Sequence, residues 1–574
     1  MMLLPLLVVS VVFGPTLAAP DTDWWQSALV YQIYPRSFKD SNGDGIGDLN
    51  GITMKLPYLK YTGVDAIWLS PIYLSPMFDF GYDISDYRQI APEYGTMQDF
   101  ERLLAISKLL GLRVILDFVP NHTSNQSEWF ERSARREPGY ENYYVWDDGK
   151  GNNTVPNNWI SIFRKSAWEW SEERKQYYLH QFVIGQPDLN YRHPAVREEM
   201  ENVLRFWLDK GVSGFRVDAV NTVYEVDKEL HGGQFPDEPL SGDPNSTPDD
   251  PGYLLHIYTT DQNETYDLVY DWRDVLNEYI VKHNEYKIMM TEAYTDLDLV
   301  MKYYGNEKRD GSIPFNFNFL ADINNKSNAM DINNVIHKWI DRMPPGKVAN
   351  WVNGNHDQSR LASRHGTDRV DGMNMLALLL PGVTLTYQGE EIGMTDGFVS
   401  WEDTVDPQAC NTDDPINYFK SSRDKNRTPY HWDAGKHAGF SRTDGKTWLP
   451  VADNYKELNL AAQIFSYKSH YKFYRDVVKI KKTTAVRRGQ LHTEVLSENV
   501  LAVIRTLTGQ QAVVGLVNLG NDTTVDLSSL PIPEQLVVVA SGVDAALEKG
   551  WTVIKKSVYL SGHSAIVLQS KEDV

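Results

Sequence analysis

The stretch GFRVDAV, residues 214–220, sets Arg216 and Asp218 two positions apart among residues that are otherwise small or apolar. Successive side chains of a strand point to opposite faces, so residues two apart share one. Arg216 and Asp218 therefore project together, and Phe215 and Val217 project the other way. Three further apolar runs end in groups of the same kind. ILDFVPNH closes on Asp117, Asn121 and His122, MMTEAYT on Glu292, and NGNHD on His356 and Asp357. Alone, each such residue reads as a cap or a structural ion pair. Four acids, two histidines and one arginine brought to one place are a reactive constellation instead. Clustered carboxylates, with no thiol, serine triad or phosphate loop, suit the cleavage of a glycosidic bond. One carboxylate attacks the anomeric carbon, and a protonated carboxyl protonates the leaving oxygen. Arg216 would hold Asp218 ionised, as a nucleophile requires. Crowding by Asp218 and Asp357 would keep a proton on Glu292, as a general acid requires.

Something must bring these strand ends together. Eight short apolar runs, at 28–34, 66–72, 113–119, 214–220, 287–293, 312–319, 348–355 and 382–389, are mostly separated by amphipathic stretches. MQDFERLLAISKLLG and VREEMENVLRFWLDKG carry apolar residues at helical spacing and end in a Gly stop. Strands alternating with helices predict a (β/α)8 barrel, whose active site lies at the C-terminal ends of its strands. The connection after DFVPNH is long and rich in Trp, Tyr, Asn and Gly, and reads as a small inserted domain over 123–187. Its aromatic residues read mainly as packing. The barrel then comprises 20–122 and 188–485. A second long connection spans 395–445, and loops of this length in a compact domain carry function. From 486 to 574 strands follow one another without helices, which predicts an antiparallel β-sandwich. The acidic stretch DEPLSGDPNSTPDDPG, residues 237–252, reads as a solvated loop, with a place on the rim of the pocket as the alternative.

A chain of 574 residues with 42% hydrophobic and 23% charged residues builds two or three folded domains. Its net charge of −21 argues against nucleic acid and anionic membrane surfaces as partners. Residues 1–19 have an apolar stretch followed by small residues, the pattern of a signal peptide, and predict secretion. No later window is long and apolar enough for a membrane span. Cys410 is the single cysteine, so no intrachain disulfide forms. Asn-x-Ser/Thr sequons begin at Asn121, Asn125, Asn152, Asn245, Asn263, Asn325, Asn426 and Asn521, acceptors for glycans in a secreted chain. In DSNGDGIGD, residues 40–48, oxygen donors recur at every second position: Asp40, Asn42, Asp44, the Ile46 carbonyl and Asp48. Such a set on a Gly-bent loop suits a hard cation, Ca²⁺; a solvated acidic turn is the alternative.

DFVPNH, GFRVDAV, TEAYT and NGNHD, in this order on successive strands, resemble the motifs of the α-amylase family of glycoside hydrolases. QPDLN at 186–190, the opening YQIYPRSFKDSNGDGIGDLNGI and SRDKNRTPYHWD near 422 are similar to its oligo-1,6-glucosidase and α-glucosidase branch. The resemblance runs from about residue 24 to the C-terminus and is closest to insect maltase-like α-glucosidases. It implies Asp218 as nucleophile, Glu292 as acid/base and Asp357 as the acid that grips sugar hydroxyls. It further implies that Tyr82, Asp83, His122, Arg216 and His356 hold the non-reducing glucose, with Phe163 and Gln186 as further contacts. Either Arg423 or Arg427 reaches the sugar, Arg423 being preferred. It supports a structural Ca²⁺ in the 40–48 loop. The family retains anomeric configuration, so the two reacting carboxyls are expected about 5–5.5 Å apart. Ala219 resembles α-1,4-preferring members, where α-1,6-preferring ones carry Val. The function implied is a secreted exo-α-glucosidase acting on maltose, short malto-oligosaccharides or sucrose. The alternatives are a sucrose isomerase or transglycosidase, and a non-enzymatic relative of amino-acid transporter heavy chains.

Overall fold

The structure, a computed structural model, describes residues 23–152 and 154–574; the signal-peptide segment 1–19 lies outside the described residues. Eight parallel strands form one sheet: β1 (Leu29–Ile33), β2 (Ala66–Leu69), β3 (Arg113–Phe118), β4 (Gly214–Val217), β5 (Ile288–Thr291), β6 (Ile313–Pro314), β7 (Asn350–Val352) and β8 (Val383–Tyr387). Their order is β6-β5-β4-β3-β2-β1-β8-β7. A parallel bridge from Asn316 to Trp351 joins β6 to β7 and closes the barrel. All eight predicted runs contain a barrel strand. The sixth is the shortest, because Pro314 has no N–H for a ladder and the chain turns into the helix Asn318–Ala321.

The period-two reading sorts the core. Val30, Trp68, Ile115, Ile288, Met290, Val352 and Leu385 pack together inside the barrel. Phe215 and Val217 join the larger core between the strands and their helices. The two helical patterns form the helices Met97–Leu110 and Pro194–Lys210. The first starts on a reciprocal Thr96–Asp99 capping box, and both stop at left-handed glycines, Gly111 and Gly211.

After β3 the chain builds a short helix, Glu128–Ala134, and a three-stranded antiparallel sheet of Trp146–Asp147, Gln176–Leu179 and Trp168–Ser171. Aromatic residues fill it, with Phe130 stacked on Trp146 and Trp159 on Trp168. The C-terminal strands form a six-stranded antiparallel sheet faced by the pair Thr523–Val525 and Val558–Leu560, around a core of its own. Its first strand, Gln490–Ser497, has no counterpart among the predicted runs because its residues are mixed and half-exposed. Arg505, buried in this sheet, donates to the Leu379 carbonyl at 2.7 Å and ties it to the barrel. Among the described residues no helix is long and apolar enough to cross a membrane.

Candidate active site

Strand register assembles the floor of the site. Asp117 on β3 pairs in register with Arg216 on β4, whose other neighbour is Met290 on β5, two residues before Glu292. Arg216 is the hub. Its Nη1 donates to Asp117 at 2.8 Å and also to Asp218, and its Nη2 donates to Glu292. Its guanidinium lies 5.0 Å from the Trp68 ring centroid. All four side chains are buried. One cation cannot neutralise three carboxylates, and the electrostatics follow from that. Burial pushes the Glu292 carboxyl up to about 8 against the pull of Arg216, and Asp218 and Asp357 add to the rise. Asp218 is also raised, to about 7, because burial outweighs an arginine shared with Asp117 and Glu292. Arg216 pulls Asp218 toward the ionised form, as expected, but does not outweigh burial.

Asp357 behaves differently. Burial opposes its ionisation, but the Arg427 and Arg423 guanidiniums beside it hold it well below the usual carboxylate range. Arg427 donates to it at 2.7 Å and Arg423 at 3.3 Å. His356 Nε2 lies 3.2 Å from Asp357 and 2.7 Å from the Tyr82 hydroxyl, which donates to Asp117 at 3.1 Å. Burial keeps both His356 and His122 neutral.

These groups open into a cavity of about 1000 Å³, with Asp218, Glu292, Asp357, His122, Phe163 and Arg423 in its wall. The inserted hairpin around Ile160–Phe163, the loop through Pro251–Asn263 and Gln408 of the late loop complete the rim. The Pro251 end of the acidic stretch thus borders the cavity, the alternative reading of that loop.

The alpha-amylase catalytic-domain model matches residues 32–489. The chain belongs to the alpha-amylase family. Maltase A1 of Drosophila melanogaster is 52% identical over 94% of this chain and 95% of its own length. Salivary alpha-glucosidase of Aedes aegypti is 48% identical over 95% of each chain. The crystal structure of an alpha-glucosyl transfer enzyme, XgtA, superposes with a TM-score of 0.83 at 33% identity, covering 96% of this chain and all of the other.

This family member brings Tyr82, His122, Phe163, Arg216, Asp218, Glu292, His356, Asp357 and Arg423 to one mouth. Three expected contacts lie elsewhere. Asp83 is turned inward, where its carboxylate accepts from the Phe78 and Asp79 N–H groups and the Ser75 hydroxyl. Asp79 stands at the wall in its place and pairs with Arg423 at 2.8 Å. Both acids flank Tyr82 in FDFGYD, and only the fold decides which one faces the cavity. Gln186 spends its amide oxygen on the Val183 N–H; the wall position belongs to Gln181, held by Asp188 at 2.8 Å. Of the two arginines, Arg423 faces the cavity, while Arg427 braces Asp357 and the His356 carbonyl from behind.

Asp406, absent from the expected set, grips Arg423 through its Nε at 3.1 Å and its Nη2 at 2.6 Å, and accepts the Arg423 N–H. No sequence signal marks it, since it lies in a loop without periodicity. Ala219 holds a left-handed φ of 41° and donates its N–H to Glu292 at 3.3 Å. A β-branched Val is disfavoured in that conformation.

The 40–48 loop is shaped by its own donors. Asp40 accepts from Gly43 and Gly45, Asp44 from Ile46, and Asp48 from Ser41 and Gly51, all at 2.7–2.9 Å. Gly45 has φ 94°, and a Cβ there would lie 2.5 Å from the Lys446 carbonyl, so the bend requires glycine. Among the described residues no three His, Cys, Asp or Glu side chains converge as a metal site. An ion here therefore depends on the Asn42 side chain and the Ile46 carbonyl as well. That all-oxygen donor set fits a hard cation.

Proposed function

We propose that the protein is a secreted, retaining exo-α-glucosidase that releases glucose from the non-reducing end of maltose, short malto-oligosaccharides or sucrose. One observation carries the reading. A single guanidinium, Arg216, reaches Asp218 and Glu292 together at the floor of a cavity that also holds the ionised Asp357. Two carboxyls within the span of one fork leave no room for a water between them, which favours the double-displacement route over inversion. Asp218 attacks the anomeric carbon while Glu292 passes its proton to the glycosidic oxygen. Asp218 becomes a glycosyl ester, and Glu292, now ionised, takes a proton from the water that hydrolyses it. The Ala219 N–H, directed at Glu292, stabilises that ionised form. Asp357, Asp79, His122, His356 and Arg423 bind the hydroxyls of the terminal glucose. Maltase A1 and the salivary alpha-glucosidase carry matching names.

The test is incubation with maltose, sucrose, isomaltose and trehalose, with products separated and the anomer followed by NMR. Glucose released first as the α-anomer is expected. No glucose from any sugar would sink the hydrolase reading. Isomerised disaccharide would favour glucosyl transfer, the activity named for the structural relative XgtA. The intact triad Asp218, Glu292 and Asp357 speaks against a purely non-enzymatic heavy-chain role.

Secretion is supported by the pattern of residues 1–19 and by the salivary relative. Glycans are expected on exposed sequons such as Asn245, Asn263, Asn325 and Asn521, and not on the buried Asn121 and Asn426. A Ca²⁺ held by Asp40, Asn42, Asp44, the Ile46 carbonyl and Asp48 would stabilise the loop entering the first barrel helix. Its removal by a chelator is expected to lower the melting temperature, and added Ca²⁺ to restore it. At a hundredfold excess over Kd the bound ion contributes about 2.7 kcal/mol. An unchanged melting curve would refute the site.

A further inference from the structure

The segment 160–166 is a narrow hairpin, closed by a bridge between Ile160 and Ser166. The Ser161 N–H donates to the Lys165 carbonyl and the Arg164 N–H to the Ser161 carbonyl, both at 2.9 Å. The two residues that lead out of its tip, Arg164 at φ 77° and Lys165 at φ 65°, are left-handed. Left-handed backbone favours Gly and, after it, Asn, and each ordinary residue costs about 1–2 kcal/mol there. The turn thus keeps two unfavourable residues whose side chains do something specific.

Those side chains reach opposite rim loops. Toward the loop after β4, Arg164 pairs with Asp250, and the Lys165 N–H donates to the Asp249 carbonyl at 2.9 Å. Toward the late loop, the Lys165 ammonium pairs with Asp413 at 3.1 Å, and Asn411 donates to the Phe163 carbonyl at 3.0 Å. The Arg164–Asp250 pair is mostly shielded, with side chains 27% and 20% exposed. Lys165–Asp413 is open to solvent, at 58% and 78%, and is correspondingly weak. The same hairpin supplies Ile160, Ile162 and Phe163 to the cavity wall, and Pro251, next to Asp250, lies in that wall too. Phe163 sits 5.0 Å from the Arg423 guanidinium, which reaches Asp357.

We propose that the Arg164–Lys165 turn is a latch that ties the two rim loops across the cavity mouth and selects for short glucosides over long ones. Closed, it narrows the region beyond the cleaved bond, where the second and later sugars of a chain must lie. The inference rests on the α-glucosidase reading, and its test separates the two.

Two variants are compared with the wild type on maltose and maltopentaose. Asp250→Asn removes the shielded ion pair and leaves the turn alone. The double variant Arg164→Asn, Lys165→Gly removes both charges and gives the two left-handed positions residues that tolerate that backbone, so it folds at least as well as the wild type. In both, kcat/KM for maltopentaose relative to maltose is expected to rise at least fivefold, with faster amide exchange across 247–262 and 405–415. A rise in both variants supports the latch. A ratio within twofold of wild type in either overturns it, given a wild type that cleaves maltose. A wild type that cleaves neither sugar overturns the α-glucosidase reading itself.

Discussion

Asp218→Asn is expected to abolish turnover while leaving the fold intact. The amide has nearly the same volume as the carboxyl and cannot form the glycosyl ester. Loss of a nucleophile of this kind lowers kcat by about 10⁴-fold or more. Arg216 keeps Asp117 and Glu292 as partners, so no buried cation is stranded. Stability should even rise with pH relative to the wild type. The ordinary Asp value is about 3.9, and burial lifts the Asp218 value in the folded protein to about 7. A carboxyl raised by folding supports the fold at low pH and loses that contribution as pH climbs through the folded value. The neutral amide loses nothing. Melting curves of both proteins at pH 4.5 and pH 8 should therefore show the variant gaining on the wild type at the higher pH. Maltose turnover near the wild-type rate would show that Asp218 is not the nucleophile.

Glu292→Gln should remove a different part of the reaction. Loss of the acid is expected to lower kcat/KM on maltose by about 10²–10⁴-fold, the usual contribution of general acid catalysis. In the wild type the alkaline limb of the pH profile reports loss of the Glu292 proton. Burial and the nearby Asp218 and Asp357 place that limb well above an ordinary carboxyl. Gln has no such proton to lose, so the limb should vanish in the variant. A p-nitrophenyl α-glucoside needs little help in leaving, and its first step should survive. Without a base to activate water, the glycosyl-enzyme should then accumulate as a burst of p-nitrophenol followed by a slow phase. An unchanged alkaline limb would assign the acid to another residue.

Both predictions rest on residues that local sequence pattern marks, and other parts of the site carry no such mark. The barrel strands were legible because runs such as RVILDFV and GFRVDAV bury both faces and carry their own signature. Gln490–Ser497 was hidden because it is half-exposed and mixed in composition. Asp406 was hidden for a different reason. Its importance lies in gripping Arg423, and nothing local to the loop around Asp406 announces that contact.

Alternation along β4 was enough to place Arg216 and Asp218 on one face, because a strand has only two faces. Ordered strand-end motifs were enough to bring Asp117, Glu292 and Asp357 to the same end of a barrel, because parallel strands share a direction. Which of two nearby acids faces the cavity is decided only by the tertiary structure. Asp79 and Asp83 lie in one turn, on either side of Tyr82. The turn's own N–H groups capture Asp83, while Arg423, more than three hundred residues away in sequence, draws Asp79 to the cavity. Gln181 and Gln186 part in the same way. The electrostatics also belong to the assembled site, since burial lifts Asp218 against the pull of one guanidinium shared among three carboxylates. Local pattern determines the direction in which a side chain points, and long-range contacts determine what it meets there.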